Sequence, residues 1–314
     1  MVDEEEYLIS YANLKSGLFN FQKDFISEIQ IKNFYNMPYY GIPQCLPKGI
    51  KYFDYTKAKF FKIDKKTFSK KIFRTSNLKY IGNSKFFRYG SIFASNVLLK
   101  KKYFKKFLYY KKNILYTQKK IKTLNKKYKN ICSMQIRNAP HYGHEAVFKH
   151  ILNKFDFLVL NPIFGIKKKN DFSDLFITKA LRYMGKKYDR LKFFPIYSNF
   201  YYGGPREALH HLIIRQNLGF NNFYIGRDHA GAEGIYQKLA AVKESEKYKK
   251  NFIINSTTTE GGYYCPKCKN YLIKRSCKHK QFINISGTEF RDCLKNNLLY
   301  IHADNKLQTL LKKS

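Results

Sequence analysis

Two histidines in the segment His141-Tyr142-Gly143-His144 have a spacing that suits ligand binding at a helix start. Residues three apart on a helix lie on one side, and the first turn presents free backbone N–H groups and a positive dipole end, which suit a phosphate or another oxyanion. Gln135, Arg137 and Asn138 just upstream add amide and guanidinium donors. The alternatives are two surface histidines or two ligands of a metal ion.

Two further polar loops could bind an anion. In Gly226-Arg227-Asp228-His229-Ala230-Gly231, the guanidinium of Arg227 could clamp a phosphate and Ala230 could offer a backbone N–H. The alternative is a turn held by a structural Arg227–Asp228 pair. The segment Ile285-Ser286-Gly287-Thr288-Glu289-Phe290-Arg291 could close on triphosphate oxygens or simply cap a helix. The sequence has no Walker loop and no G-x-G-x-x-G after the first strand of the predicted sheet, so phosphate binding depends on these side chains and amides.

A cluster of cysteines near the carboxyl end predicts a zinc site. Cys265-x-x-Cys268, followed by Cys277-x-His279, supplies three thiolates and one imidazole, a tetrahedral zinc set. Four protein ligands leave no open position, so the zinc would be structural. Because only one residue separates Cys277 from His279, the identity of the fourth ligand stays open. The alternative to a metal site is four unrelated residues in a lysine-rich loop. The remaining cysteines, Cys45, Cys132 and Cys293, are expected to be small buried residues.

Strands alternating with helices must position these loops. We expect a doubly wound parallel sheet of the α/β class, in which polar loops after the strands converge on one crevice. The strands predicted are residues 130–135, 157–161, 191–197, 222–225 and 251–254. Four helices are predicted between these strands. The first begins at Gly143, and the second runs from the cap at Ser173 to Met184 with Gly185 as terminator. The third runs from Pro205 to Gly219, and the fourth ends near Glu244.

The flanking segments complete a prediction of three domains. Residues 1–116 are expected to form a mixed α/β domain, residues 117–258 the catalytic domain and residues 259–314 a small lobe. Helices are predicted near residues 23–32 and 103–110. The lysine-heavy stretch 100–129 is interpreted as a linker that passes into a helix around residues 118–128.

Composition limits the class of protein. The chain has 314 residues, a net charge of +38, 28 Phe and 27 Tyr, so it can bury a core and is not a disordered chain. No apolar run reaches membrane-spanning length and the acidic start is unlike a signal peptide, so we expect a cytoplasmic protein with reduced thiols and no membrane partner. The charge suggests nucleic acid, but lysine is spread over the whole chain with Asn, Tyr, Phe and Ile, as an A/T-rich genome would produce; nucleic acid is therefore not the expected partner.

Four segments, taken in order, resemble those of ATP sulfurylase, the sulfate adenylyltransferase of sulfur metabolism. Residues 135–144, QIRNAPHYGH, resemble its Q-x-R-N-P-x-H-x-x-H stretch, and residues 202–208, YGGPREA, resemble its Y-A-G-P-R-E-A loop. Residues 226–231 match its G-R-D-H-A-G loop, and residues 285–291 resemble its I-S-G-T-x-x-R segment. The YYCPKC…CKH run resembles a zinc ribbon of some bacterial members. The resemblance is weaker in the first half and covers nearly the whole chain.

This resemblance implies an H-x-G-H nucleotidyltransferase domain, a PUA-like N-terminal domain, a C-terminal lobe with a zinc-ribbon-like loop, and a homodimer. The implied reaction is direct in-line attack of sulfate on ATP with Mg²⁺, giving adenylylsulfate and pyrophosphate, or the reverse. The implied sulfate contacts are Gln135, Arg137 and Ala230, and the implied catalytic residues are Arg137, Asn138, His141, His144 and Arg227. The implied ATP contacts are Gln135, Asn138, His141, His144, Gly226, Arg227, Asp228, His229, Ser286, Gly287 and Thr288.

Three positions depart from the family pattern. Pro140 stands one place later than the family proline, Ile136 replaces a threonine, and Tyr201 stands where arginine is common. These departures bear on rate and affinity. Two other functions stay open: another H-x-G-H adenylyltransferase, which has no use for Arg137 and the G-R-D-H-A-G loop, and a basic RNA-binding protein built on a decayed enzyme.

Overall fold

The computed structural model describes residues 4–166, 172–227, 229–230, 234–275 and 277–312, so Asp228 and Gly231 lie outside the described residues. The amino-terminal part consists of short helices and strands followed by one long helix. Its helices are α1 (Glu5–Lys15), α2 (Glu28–Asn36), α3 (Lys65–Phe68), α4 (Ile81–Phe86) and α5 (Phe104–Asn125). Its strands are β1 (Leu46–Pro47), β2 (Phe53–Asp54), β3 (Lys59–Lys62), β4 (Ile92–Ser95) and β5 (Leu98–Leu99).

A five-stranded parallel sheet forms the centre of the protein, which confirms the predicted α/β class. A separate parallel pair, β8 with β10, lies outside it. The strands of this part are β6 (Ile131–Met134), β7 (Phe157–Leu160), β8 (Ile163–Phe164), β9 (Leu191–Phe193), β10 (Ile196–Tyr197), β11 (Asn222–Tyr224) and β12 (Asn255–Thr257). The helices between them are α6 (Tyr142–Lys154), α7 (Asp174–Lys187), α8 (Pro205–Leu218) and α9 (Ala240–Lys247).

Both faces of the sheet are covered, as in a doubly wound fold. Phe157 and Val159 of β7 enter one hydrophobic core together with α8, α5 and the amino-terminal helices. Leu158 and Leu160 enter the other core, with α6 and α7. Because alternate residues of a strand point to opposite faces, the near-continuous apolar strands of this sheet are explained by burial on both sides.

The strand order reverses at the middle of the sheet. The order is β12-β11-β6-β7-β9, so the chain builds outward from β6 to β9 and then returns to the other side of β6 with β11. The loops after β6 and β11 therefore leave neighbouring strands in different directions. Ligands of open parallel sheets bind in the crevice that this reversal opens.

A small antiparallel sheet and two helices follow the parallel sheet. Phe290, Leu307 and Leu311 from the two helices join the core that contains α6 and α7, so this lobe is anchored on the parallel sheet. Its elements are β13 (Tyr263–Cys265), β14 (Asn270–Leu272), β15 (Ile283–Asn284), α10 (Gly287–Lys295) and α11 (Asn305–Lys312), with strand order β14-β13-β15.

The amino-terminal segment shares one continuous core with the sheet and is tied to α8 by a buried arginine. The Nε of Arg206 donates to the carbonyl of Gly41 at 2.7 Å, and its Nη2 donates to the carbonyl of Phe34. A PUA-like fold for this segment and the three domain boundaries stay predictions. Within the described residues no helix is both long and apolar enough to cross a membrane.

Helix boundaries correct the sequence interpretation in three places. Helix α5 is one helix of 22 residues and not a linker, because Phe107, Tyr110, Ile114, Thr117 and Ile121 form a buried stripe at helical spacing. The helix expected near residues 23–32 begins later, at Glu28, with a capping box at its start. Helix α7 begins after the Ser173 cap, as predicted, but continues through Gly185 to Lys187.

The extra turn of α7 has an electrostatic cause. The ammonium of Lys187 lies 2.8 Å from the carboxylate of Glu145 and 2.7 Å from that of Asp304. A glycine inside a helix costs only about 1 kcal/mol relative to alanine, and two ion pairs at the helix end offset part of that cost. Gly185 is therefore a tolerated interior glycine.

Two strands also differ from their predicted bounds. The strand expected over residues 191–197 is broken at Pro195, which has no N–H for the ladder, and its second part pairs with β8 as β10. The strand expected over residues 251–254 begins four residues later, at Asn255. The backbone before Asn255 is engaged in other hydrogen bonds. It forms a 3₁₀ turn at Lys249–Asn251, and the N–H of Ile253 donates to Oε1 of Gln216 at 2.7 Å.

Two glycine substitutions are expected to change stability in opposite directions. Gly185→Ala should raise the free energy of unfolding by about 0.5–1 kcal/mol, because the added Cβ meets only Leu191 O at 3.6 Å. Gly219→Ala should lower it by about 1 kcal/mol or more, because this residue ends α8 at φ +96°. Urea unfolding of both variants checks this. A destabilised Gly185→Ala protein would contradict the continuous helix.

Candidate active site

Two adjacent cavities lie in the crevice at the carboxyl ends of β6 and β11. The larger has a volume of about 370 Å³ and the smaller about 210 Å³. Gln135, Asn138 and His229 line both, so they form a shared wall. The predicted residues that line the larger cavity are Gln135, Asn138, His141, His144, Gly226, Arg227, His229 and Gly287. Those that line the smaller are Gln135, Arg137, Asn138, His229 and Ala230.

Two predicted contacts lie away from the cavities, and a third falls outside the described residues. The hydroxyl of Ser286 caps α10 by accepting from the N–H of Glu289 at 3.2 Å, and Ser286 lines neither cavity. Thr288 is exposed and also lines neither. Asp228 lies outside the described residues, so its ATP contact stays a prediction.

The two histidines of the motif cap α6 reciprocally. The N–H of His144 donates to Nδ1 of His141 at 3.3 Å, and the N–H of His141 donates to Nδ1 of His144 at 3.4 Å. Since both Nδ1 atoms accept, each neutral ring carries its proton on Nε2. The pair thus offers two ring N–H donors at a helix N-terminus, which strengthens the interpretation as an anion site.

Burial keeps these histidines uncharged. Loss of solvent lowers the pKa of His144 to about 4. Burial, followed by the neighbouring His144, holds the pKa of His141 well below its usual range. Both rings are therefore neutral at pH 7 in the protein without a ligand, and the fixed positive charges of the larger cavity come from its arginine.

Asn138 is oriented by Arg291, which the sequence analysis did not assign to the site. Nη2 of Arg291 donates to Oδ1 of Asn138 at 3.1 Å, which leaves the Asn138 amide as a donor. Gly287 lies directly beside it, since a Cβ at that position would stand 2.8 Å from Nδ2 of Asn138. The ISGTEFR segment thus contributes Gly287 to the larger cavity and Arg291 to the orientation of Asn138.

The lobe formed by β13–β15, α10 and α11, which we call the cysteine lobe, forms another wall of the larger cavity. Nη1 of Arg227 donates to the hydroxyl of Tyr263 at 3.1 Å. Gly262 packs so closely on the start of α6 that a Cβ there would lie 2.5 Å from the Cα and carbonyl oxygen of Gly143. The rings of Tyr142 and Tyr271 also pack at 5.1 Å. The lobe therefore holds both Arg227 and the histidine turn.

The smaller cavity is lined by an exposed arginine and by a loop residue with a positive φ. Arg137 is exposed at its mouth. Ala230 has φ +55°, a conformation rare for a residue with a Cβ, and its carbonyl accepts from the N–H of Gly204 at 3.1 Å. That bond ties the loop after β11 to the start of α8. Glu207 and His211, which sequence reasoning missed, also line this cavity.

The four predicted metal ligands come together. The Sγ atoms of Cys265, Cys268 and Cys277 and Nδ1 of His279 all lie within 4.8 Å of one another. Nδ1 of His279 is 3.1 Å from the sulfur of Cys268 and 3.2 Å from that of Cys277. The N–H groups of Cys268 and His279 donate to sulfur atoms at 3.4 Å, a geometry that stabilises thiolates. The residues fit a single tetrahedral ion with His279 as fourth ligand.

The three departures from the family pattern lie in the protein interior or away from the cavities. Ile136 and Pro140 are buried. The hydroxyl of Tyr201 donates to Oε1 of Gln44 at 2.6 Å, and its ring lines neither cavity. None of the three residues lines either cavity.

Comparisons with known proteins identify relatives. The model of the ATP-sulfurylase family matches residues 111–300. A sulfate adenylyltransferase of Thermococcus onnurineus is 33% identical over 73% of this chain and 61% of its own length. One from Pyrococcus abyssi is 31% identical over 74% of this chain and 62% of its own length. One from Ignicoccus hospitalis is 38% identical over 53% and 44%.

The chain spans about three fifths of the length of the first two relatives. Among solved structures, a hexameric APS kinase from Thiobacillus denitrificans superposes with a TM-score of 0.51 at 12% identity, covering 71% of this chain and 43% of that one. At this identity the likeness concerns the α/β fold alone.

The neutral state of His144 predicts a pH dependence of stability. The unfolded chain takes up a proton near pH 6.5, whereas the folded protein does so only near pH 4, so this histidine lowers the free energy of unfolding as pH falls between these values. Several other buried histidines act in the same direction, so the comparison needs a variant. His144→Asn should take up about one proton fewer than the parent on unfolding in this range. Urea titrations from pH 4.5 to 7.5 measure the difference, and equal slopes would contradict it.

Proposed function

Because the chain belongs to the ATP-sulfurylase family, we propose that it is a sulfate adenylyltransferase. In this reaction sulfate attacks the α-phosphorus of ATP, and adenylylsulfate and pyrophosphate form; the reverse reaction uses the same site. The observation that carries the proposal is the pair of anion-suited cavities with a shared wall. A transfer between two anions needs both held side by side in one crevice.

The larger cavity suits the phosphates of ATP. It contains the Nε2–H donors of His141 and His144, the guanidinium of Arg227 and the amide of Asn138. These donors would stabilise the negative charge that develops on the α-phosphoryl oxygens and on the leaving pyrophosphate. The neutral histidines can also gain positive character beside a polyanion, because a nearby negative charge raises the pKa of an imidazole.

The smaller cavity suits sulfate. The guanidinium of Arg137, the amide of Gln135 and the backbone at Ala230 surround it. Sulfate is already a dianion and needs no general base. What the site must supply is neutralisation of repulsion and alignment with the α-phosphorus, which a guanidinium fork and fixed amides provide.

Mg²⁺ would enter with ATP. Among the described residues that line the larger cavity, none is Asp or Glu. This fits a cation held by phosphates and water, which is how Mg²⁺ is commonly bound. The ion supplies charge neutralisation on the triphosphate, and the protein side chains position the phosphates.

Zinc is the ion proposed for the cysteine cluster. Three sulfurs and one imidazole nitrogen within reach of one centre match its ligand preference, and the closed set gives it a structural role. The contacts of the same lobe with Arg227 and Gly143 extend that role, since the ion would also stabilise one wall of the ATP cavity.

Neither alternative function accounts for both cavities. Another H-x-G-H adenylyltransferase leaves the smaller cavity with Arg137 and Ala230 unexplained. A decayed nucleic-acid-binding protein leaves the reciprocal histidine cap and the gathered donors without a purpose. A homodimer and a cytoplasmic location stay predictions.

The function is tested by pyrophosphate release from ATP, which should require sulfate. Arg137→Ala should lower kcat/KM for sulfate by about 10²-fold or more, because one charge-assisted contact to the oxyanion is lost, while ATP affinity stays near that of the parent. Arg182→Ala, an exposed arginine on α7, is the matched control. Sulfate-independent release would contradict the function, and unchanged sulfate kinetics in Arg137→Ala would contradict the assignment of the smaller cavity.

Zinc content and ATP affinity should fall together. We expect one zinc per chain by elemental analysis, and Cys268→Ser should lose the ion and lower the unfolding temperature. The lobe holds Arg227 through Tyr263. The variant protein that stays folded should therefore have a higher KM for ATP than the parent has, and its KM for sulfate should change less. Cys293→Ser, outside the cluster, is the control. Full zinc content in Cys268→Ser would show that these residues do not form the site.

A further inference from the structure

Helix α8 carries a stripe of polar residues in the protein interior. Glu207, His211 and Arg215 follow one another at intervals of four, so they lie on one side of the helix. Each is at most 1% exposed. Burying three ionisable side chains is costly unless they have partners. Their contacts therefore show what the stripe does.

The middle residue of the stripe contacts the wall between the cavities. Nδ1 of His211 lies 2.8 Å from Nε2 of His229 in the loop after β11. His229 lines both the larger and the smaller cavity. Its ring also meets that of Phe223 edge-on at 5.6 Å, so packing supports the same orientation. The hydrogen bond joins a rigid helix to a loop that provides residues to both cavities.

The first residue of the stripe holds the start of α8 and approaches the other side of His211. The carboxylate of Glu207 accepts the N–H groups of Tyr201 and Gly203, both at 2.9 Å. Its Oε1 lies 3.5 Å from Nε2 of His211. His211 is thus bracketed, with a carboxyl group near one ring nitrogen and His229 at the other.

Burial and the nearby charge of Arg215 keep the two histidines neutral. Its guanidinium lies over the Phe223 ring at 5.1 Å and donates one hydrogen bond, to the carbonyl of Asn161 at 2.9 Å. Burial first, and then this positive charge, lower the pKa of His229 to about 3 and hold that of His211 well below its usual range. Two neutral imidazoles 2.8 Å apart share one N–H, so one donates and the other accepts, and neither ring can turn without losing the bond.

We propose that His211 is a positioning residue that fixes His229, and with it the nearby Arg227 and Ala230, at the wall shared by the two cavities. The proposal rests on the proposed function for its kinetic consequence and on geometry alone for the hydrogen bond. The loop supplies Arg227 to the larger cavity and Ala230 to the smaller, so its displacement would impair both substrates together. A loss confined to one substrate is what replacement of a direct ligand would produce.

The adjacent histidine provides a matched control. His210 is also fully buried on α8, but its Nδ1 accepts from the N–H of Ile42 at 3.3 Å and its ring stacks on Phe19 at 4.7 Å, away from the cavities. His210→Ala and His211→Ala remove the same volume from the same helix. A purely structural role of His211 would make the two variants alike in both stability and kinetics.

Two conservative variants separate the contacts of His211. The amide nitrogen and oxygen of asparagine are as many bonds from Cβ as Nδ1 of histidine is, so asparagine can reach the position of Nδ1. Those of glutamine are as many bonds from Cβ as Nε2 is, so glutamine can reach the position of Nε2. His211→Asn should therefore keep the contact with His229 and most of the activity. His211→Gln and His211→Ala should lower kcat/KM for both ATP and sulfate by about 10- to 100-fold, whereas His210→Ala should not.

A readout independent of activity is the scalar coupling between the ¹⁵N nuclei of the two rings across the N–H···N bond in histidine-labelled full-length protein. We expect it in the parent and in His210→Ala, and not in His211→Ala. Its absence from the parent would overturn the proposal even if the enzyme is active. Its presence without any sulfate-dependent activity would instead refute the proposed function, and ATP affinity would then report the loop position. Equal kinetics of His210→Ala and His211→Ala would also overturn the proposed positioning role of His211.

Discussion

The reversal of strand order between β6 and β11 is the constraint on which the site depends. It places the ends of two neighbouring parallel strands together, and their loops separate to leave the crevice. The loop after β6 brings Arg137 and the histidine turn, and the loop after β11 brings Arg227 and Ala230. Each loop contributes to both cavities, so neither cavity could form from one strand alone.

Holding these loops requires polar contacts in places where most proteins use apolar ones. Helix α8 buries Glu207, His211 and Arg215 behind the loop after β11, and the cysteine lobe meets the start of α6 with glycine against glycine. Unpaired buried charges are costly. The polar stripe of α8 is explained if the positions of His229 and Arg227 matter more to the protein than the stability that an apolar stripe would add.

Sequence patterns predicted the parallel sheet, the cap at Ser173, the end of α8 at Gly219 and the gathering of the metal ligands, because these depend on local spacing. The length of α5 was missed although Phe107, Tyr110 and Ile114 carry the helical spacing, since abundant lysine concealed the stripe. His211 and Arg291 act through contacts with distant segments, and a single sequence does not show which side chains they contact. Glu207 and Arg291 do lie in the family-like segments 202–208 and 285–291, but those motifs do not reveal their partners.

Under the proposed function, sulfate and the α-phosphate of ATP occupy neighbouring cavities across one wall. A crystal structure of the protein with adenylylsulfate tests this most directly, because that molecule contains both groups joined by one bond. We expect its sulfate group between Arg137 and the backbone of Ala230, and its phosphate beside His141 and His144. A molecule seated wholly in the larger cavity, with the Arg137 side unoccupied, would contradict the claim.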